Sequence, residues 1–138
     1  GTTFQPLISI RMDSGREDSV IIPEGLDLFP VSNDDFEFAL LKNSVITGGT
    51  WDLYAPRNNV EVNNSATSLS GVEVLQRGFF GSSFFTTSAV TVSQEKNFAY
   101  QLGRTNSQPP VSDTVTLAVC PLAGSGDVRS AMSWADML

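Results

Sequence analysis

The chain has 138 residues and 14.8 kDa, 41% hydrophobic and 17% charged, which is the size of one domain that buries roughly 68% of its unfolded surface without staples. Fifteen acidic against eight basic residues give a net charge of −7. Arg11, Arg16, Lys42, Arg57, Arg77, Lys96, Arg104 and Arg129 are scattered, and such a distribution excludes the basic patch that nucleic acid or an anionic membrane surface would need.

The first six residues, ending in Pro6, show no periodicity and read as an N-terminal arm. Leu7 to Met12 alternates, with Ile8, Ile10 and Met12 inward and Ser9 and Arg11 outward, which predicts a first strand. A polar loop, Asp13 to Asp18, leads to a short strand over Ser19 to Ile22, stopped by Pro23-Glu24-Gly25, and to an extended piece over Leu26 to Phe29. Phe36 to Leu41 is expected to be a strand because its surroundings have period two. Val45 to Thr47, Gly48-Gly49 and Thr50 to Ala55 read as a hairpin whose diglycine supplies positive φ. Trp51, Leu53 and Ala55 share one face of it, and Asp52 and Tyr54 the other.

Val60 to Asn63 is a short strand, Asn64 to Gly71 a polar loop, and Val72 to Gln76 a strand closing at Arg77-Gly78. Next comes Phe79-Phe80-Gly81-Ser82-Ser83-Phe84-Phe85, two aromatic pairs around a flexible centre. Ala89 to Gln94 and Asn97 to Leu102 read as a hairpin, and Arg104 to Ser112 as a loop through Pro109-Pro110. Asp113 to Leu122 is the strongest strand. Val115, Leu117 and Val119 line one face and Thr114, Thr116 and Ala118 the other, until Pro121 ends the ladder. Val128, Ala131, Met132, Ala135 and Leu138 are spaced for one helical face, so a short C-terminal helix or docking tail is expected over residues 123–138. About nine or ten short strands with regular turn signals predict an all-β antiparallel sandwich over residues 7–122, jelly roll favoured.

Histidine is absent, which removes the commonest general base and metal ligand and with them triads and most zinc sites. Glycoside-hydrolase chemistry needs two facing carboxylates, for which Asp34, Asp35, Glu37 and Asp52 are the available residues. Calcium would need a loop of oxygens, from Asp13, Gly15, Glu17 and Asp18 or from Asn33, Asp34 and Asp35. An ordinary solvated acid is the simpler reading of each, so no catalytic residue, metal or cofactor is expected. Cys120, the single cysteine, reads as a buried small hydrophobe; Gly1 to Gln5 does not read as a signal peptide, and assembly in a reducing cytoplasm is expected. No apolar run approaches the roughly 20 residues of a membrane helix.

The phenylalanines of residues 79–85 either divide between core and bend or stay exposed to pack on a partner. The low charge content, against roughly 25% in an average domain, and the two terminal segments favour a partner-covered surface. Its candidate contacts are Phe4, Phe79, Phe80, Phe84, Phe85, Trp134 and Leu138. On this view, removing residues 127–138 leaves a folded domain that no longer binds.

In its arm (Gly1 to Pro6), its Gly- and Asn-punctuated strands such as GGTWDLYA and VEVLQRGFFG, and its late strand DTVTLAVCPL, the chain resembles the small jelly-roll cement, or decoration, proteins of tailed-phage capsids. The resemblance is one of architecture. It implies a non-enzymatic virion protein on the capsid exterior, assembled in the host cytoplasm, that clamps the major capsid protein as a homo-oligomer, a dimer or trimer. The alternative is a carbohydrate-binding sandwich from a tail fibre or extracellular enzyme, reading glycans with Trp51 and Tyr54, with Tyr100 and Trp134 as further flat faces.

Overall fold

The structure is a computed structural model describing residues 3–13, 20–30, 35–54, 59–71, 73–81, 90–93, 102–105, 111–122 and 128–137. Among the described residues all regular structure is strand: β1 (Gln5–Met12), β2 (Val20–Pro30), β3 (Asp35–Lys42), β4 (Val45–Thr47), β5 (Asp52–Leu53), β6 (Val60–Asn63), β7 (Ser68–Ser70), β8 (Val74–Gly81), β9 (Val90–Ser93), β10 (Thr114–Pro121) and β11 (Val128–Met137). They form a six-stranded sheet of order β5-β6-β1-β10-β3-β8, a three-stranded sheet of order β11-β2-β9, and the pair β4-β7. All pairings are antiparallel.

The late strand lies inside the large sheet, between β1 and β3. Val115, Leu117 and Val119 join Ile10, Met12, Phe36, Phe38, Leu40 and Val60 in one core. Ile21 and Leu28 of β2 belong to that core, and Val128, Met132 and Trp134 of β11 pack against it, so the two larger sheets close as a sandwich. The opposite face of the large sheet is buried at its centre as well. Ala39, Leu41 and Ala118 lie under Phe4 and Leu69, and next to them the Ser9 and Thr116 hydroxyls bond at 2.7 Å, each satisfying the other away from water. The alternation expected of β1 and β10 is present, but a third layer covers much of the face it marks as outward.

Three pairings nest: β1 with β10, β2 with β9 and β3 with β8. Each pair lies inside the one before it, and β11 is added outside the nest, on the other side of β2. This is a two-stranded ribbon folded onto itself, and β3 beside β10 is where the fold brings its arms together.

Several expectations are corrected. The C-terminal segment is not helical: β11 pairs with β2 along its whole length, from Val128 opposite Pro30 to Met137 opposite Val20. The helical spacing of Val128, Ala131, Met132 and Ala135 loses because β2 offers a full row of hydrogen-bonding groups, and Val128, Met132 and Trp134 supply a period-two apolar face. Pro23 does not stop β2. The register steps from Ser133–Gly25 to Trp134–Pro23, leaving Glu24 as the extra residue of a bulge, where proline is tolerated. The diglycine turns the chain with φ of 82° and 72° but closes no hairpin, since β4 pairs with β7 and β5 with β6. A Cβ on Gly49 would fall 2.7 Å from the Ala66 nitrogen, so this corner is packed against the loop that carries β7. That loop, expected to be without strands, therefore holds one. β8 runs through Arg77-Gly78 to Gly81 instead of ending there. β9 pairs with β2, and the second half of its expected hairpin, residues 97–101, lies outside the described residues. The arm expected over residues 1–6 gives way at Gln5, where β1 begins.

Candidate partner-contact surface

Phe79 lies on β8, the outermost described strand of the large sheet, opposite Glu37 of β3. Phe36, Phe38 and Leu40 of β3 point into the core, so Glu37, Ala39 and Leu41 hold the outer face, and Arg77 and Phe79 share it with them by register. Phe79 is 70% exposed. Beside it the Arg77 guanidinium donates to the Glu37 carboxylate. Leu122, just past β10, is 51% exposed, and its N–H donates to the Asp35 carbonyl, which places it at the same end of β3 as Phe79 but on the other side of that strand. Gly78 between Arg77 and Phe79 faces Phe38, and a Cβ there would fall 2.6 Å from the Phe38 ring. The glycine keeps the strand against that ring, and this seats its neighbours on the outer face.

The other candidates separate. Phe4 is half-buried against Ala39, Leu41 and Ala118; it covers the sheet from within the chain. Trp134 comes from a strand, packs on the core, and meets Tyr54 edge-on with ring centroids 5.1 Å apart at 80°. Phe80 is placed only by its register opposite Phe36. Phe84, Phe85 and Leu138 lie outside the described residues. Tyr54, which the sequence offered only as a sugar-binding face, is also exposed, as are Val45 and Val111, which did not stand out in the sequence; hydrophobicity alone carries no signal of exposure.

At the opposite side of the large sheet, Arg11 of β1 donates to Glu61 of β6 at 2.6 Å and lies 4.1 Å over the Trp51 ring, a charge held between a carboxylate and an aromatic face. Burial raises the Glu61 carboxyl above its ordinary range against the pull of Arg11, and the Asp13 carboxyl raises it further. Lys42 lies 4.0 Å from both Glu73 and Asp113. Arg11, Lys42 and Arg77 are thus each set against a carboxylate of their own chain. Trp51 and Tyr54 diverge, one over Arg11 and the other against Trp134, and form no common platform. Tyr100 lies outside the described residues.

Among the acidic candidates, Glu37 is held by Arg77 and Asp52 accepts from the Thr50 hydroxyl at 3.1 Å. Their strands stand four places apart in the sheet, roughly 19 Å, beyond the roughly 5–9.5 Å of a glycosidase pair. Asp35 is exposed, and Gly15, Glu17, Asp18, Asn33 and Asp34 lie outside the described residues. Among the described residues no three Cys, Asp or Glu side chains gather as a metal site, and no helix is long and apolar enough to cross a membrane.

Comparison with models of known protein families, with curated proteins and with solved structures found no match.

Proposed function

We propose that this chain is a non-enzymatic structural protein of a virion, a cement or decoration protein that binds the major capsid protein on the outside of the shell and stabilises it as a homo-oligomer. The observation that carries the reading is the nested order of β1–β10, β2–β9 and β3–β8. Nested pairing of this kind supports a jelly-roll plan, one use of which is in viral capsids. Fold alone assigns no function, so the surface supplies the second support. Phe79 on the edge strand β8 is exposed beside the Arg77–Glu37 ion pair, an aromatic next to polar groups as at the margin of a contact, and Leu122 is exposed across β3 from it. A shell offers each copy several capsid subunits, so modest contacts of this kind sum through effective concentration. Sugar binding is less well supported, because Trp51 and Tyr54 do not face one ligand.

The test is sedimentation of the purified chain with shells of the major capsid protein it accompanies, beside the variant F79D. Saturable co-sedimentation of the wild type, weakened about tenfold or more in a folded F79D, is the expected result, since a central aromatic contact is worth about 2 kcal/mol or more. A wild-type chain that stays in the supernatant overturns the reading. Shell binding that F79D leaves unchanged removes this edge from the contact.

A further inference from the structure

We infer that β11 pairs with β11 of a second copy of this chain, antiparallel about a two-fold axis at Ser133, joining the two three-stranded sheets into one of six. The inference deepens the homo-oligomer part of the proposed function, but rests on the strand itself and not on the capsid. β11 is ten residues long and pairs with β2 on one side only; among the described residues no strand pairs with its other side. An open edge of this length is ordinarily blunted by proline, lysine or a short span. β11 contains neither proline nor lysine, and its irregularity lies opposite β2, where Glu24 is the extra residue. Beside the strand, Tyr54 rests on Trp134 while remaining 64% exposed, so an apolar ring flanks the open edge.

The occupant is specified by the order of residues in β11, Val-Arg-Ser-Ala-Met-Ser-Trp-Ala-Asp-Met, which is nearly palindromic in size and polarity about Ser133. In a two-fold antiparallel ladder centred there, Met132 stands opposite Trp134, Ala131 opposite Ala135, Ser130 opposite Asp136, and Ser133 opposite itself. Large meets large, small meets small, and a hydroxyl meets a carboxylate. The charges agree with this direction. Arg129 and Asp136 are the only charged residues of the strand and lie near its two ends, so antiparallel pairing keeps the two arginines apart and the two aspartates apart, where parallel pairing would set like beside like. An isologous contact of this kind closes at two copies.

The test is the solution mass of the full chain across micromolar concentrations, for the wild type and two double variants, with circular dichroism confirming the fold of each. A131K/A135K places lysine opposite lysine twice in this register; A131K/A135E places lysine opposite glutamate twice. The expected result is a wild-type dimer, weakened about tenfold or more by the first variant and restored by the second. A monomeric wild type overturns the inference, as does a dimer that both variants disrupt equally or neither disrupts. Shell binding is read separately. A monomer that binds shells overturns this pairing and the homo-oligomer clause but leaves the capsid reading, and a dimer that ignores shells overturns only the capsid reading.

Discussion

Gly78 carries no side chain because the ring of Phe38 occupies the place where one would be. G78A should therefore cost about 1–3 kcal/mol by overpacking, read as a lower urea midpoint at unchanged slope; an unchanged midpoint would mean that the two strands separate freely. The buried Ser9–Thr116 pair makes a second point at this scale. T116V strands the Ser9 hydroxyl and should cost about 1–3 kcal/mol, while S9A/T116V recovers part of the loss because neither partner is then orphaned. Glu61 makes the third. Its folded-state carboxyl is raised from 4.5, so the folded chain holds that proton more tightly than the unfolded chain. The resulting stabilisation is complete below pH 4.5 and is lost as pH rises through the raised value. Wild type minus E61Q, followed by thermal melts upward from about pH 4, should therefore decline. A difference that grows with pH would mean that Arg11, not burial, dominates the site.

At the scale of elements, the least legible part of the chain is its most consequential. Ile10, Met12, Val115, Leu117 and Val119 announce their core face by strict alternation, and β1, β3, β6 and β10 are readable from the sequence to within a few residues. β11 is not readable, because Val128, Ala131, Met132 and Ala135 fit a helical face as well as Val128, Met132 and Trp134 fit a strand. What decides between them is the free edge of β2, far away in the chain. The same long-range partnering hides β4–β7 behind a turn that looks like a hairpin, and turns Phe4 from arm to cover. The candidate surface is legible in part: Phe79 stands out within its aromatic cluster, whereas Leu122 acquires its place only through the register at the end of β3. Truncation before Val128 follows from this placement. It removes the only described partner on one side of β2 and three residues packed on the core, so the shortened chain should lose cooperative unfolding and bind a hydrophobic dye. A truncated chain that melts sharply would return the C-terminal segment to the status of a docking tail.

Over the whole molecule, nested pairing means that most of the ladder joins distant parts of the chain, Ser9 to Thr116 among them. Such a fold forms slowly but leaves a sheet whose first and last strands lock each other at the centre. That construction suits a clamp, since force applied at the edges is carried by β1, β10 and β3 together. The outer face is covered at its middle by Phe4 and Leu69 and open at its β8 end, where Phe79 stands. As a cement, the protein would meet the shell with that open end and a second copy with β11, at the edge of the other sheet, so each dimer would offer two shell contacts. The direct measurement is the temperature at which shells of the major capsid protein come apart, with and without saturating protein. A rise of several degrees, absent with F79D, is the predicted result. An unchanged disruption temperature with the protein bound would contradict the claim that this chain is a cement.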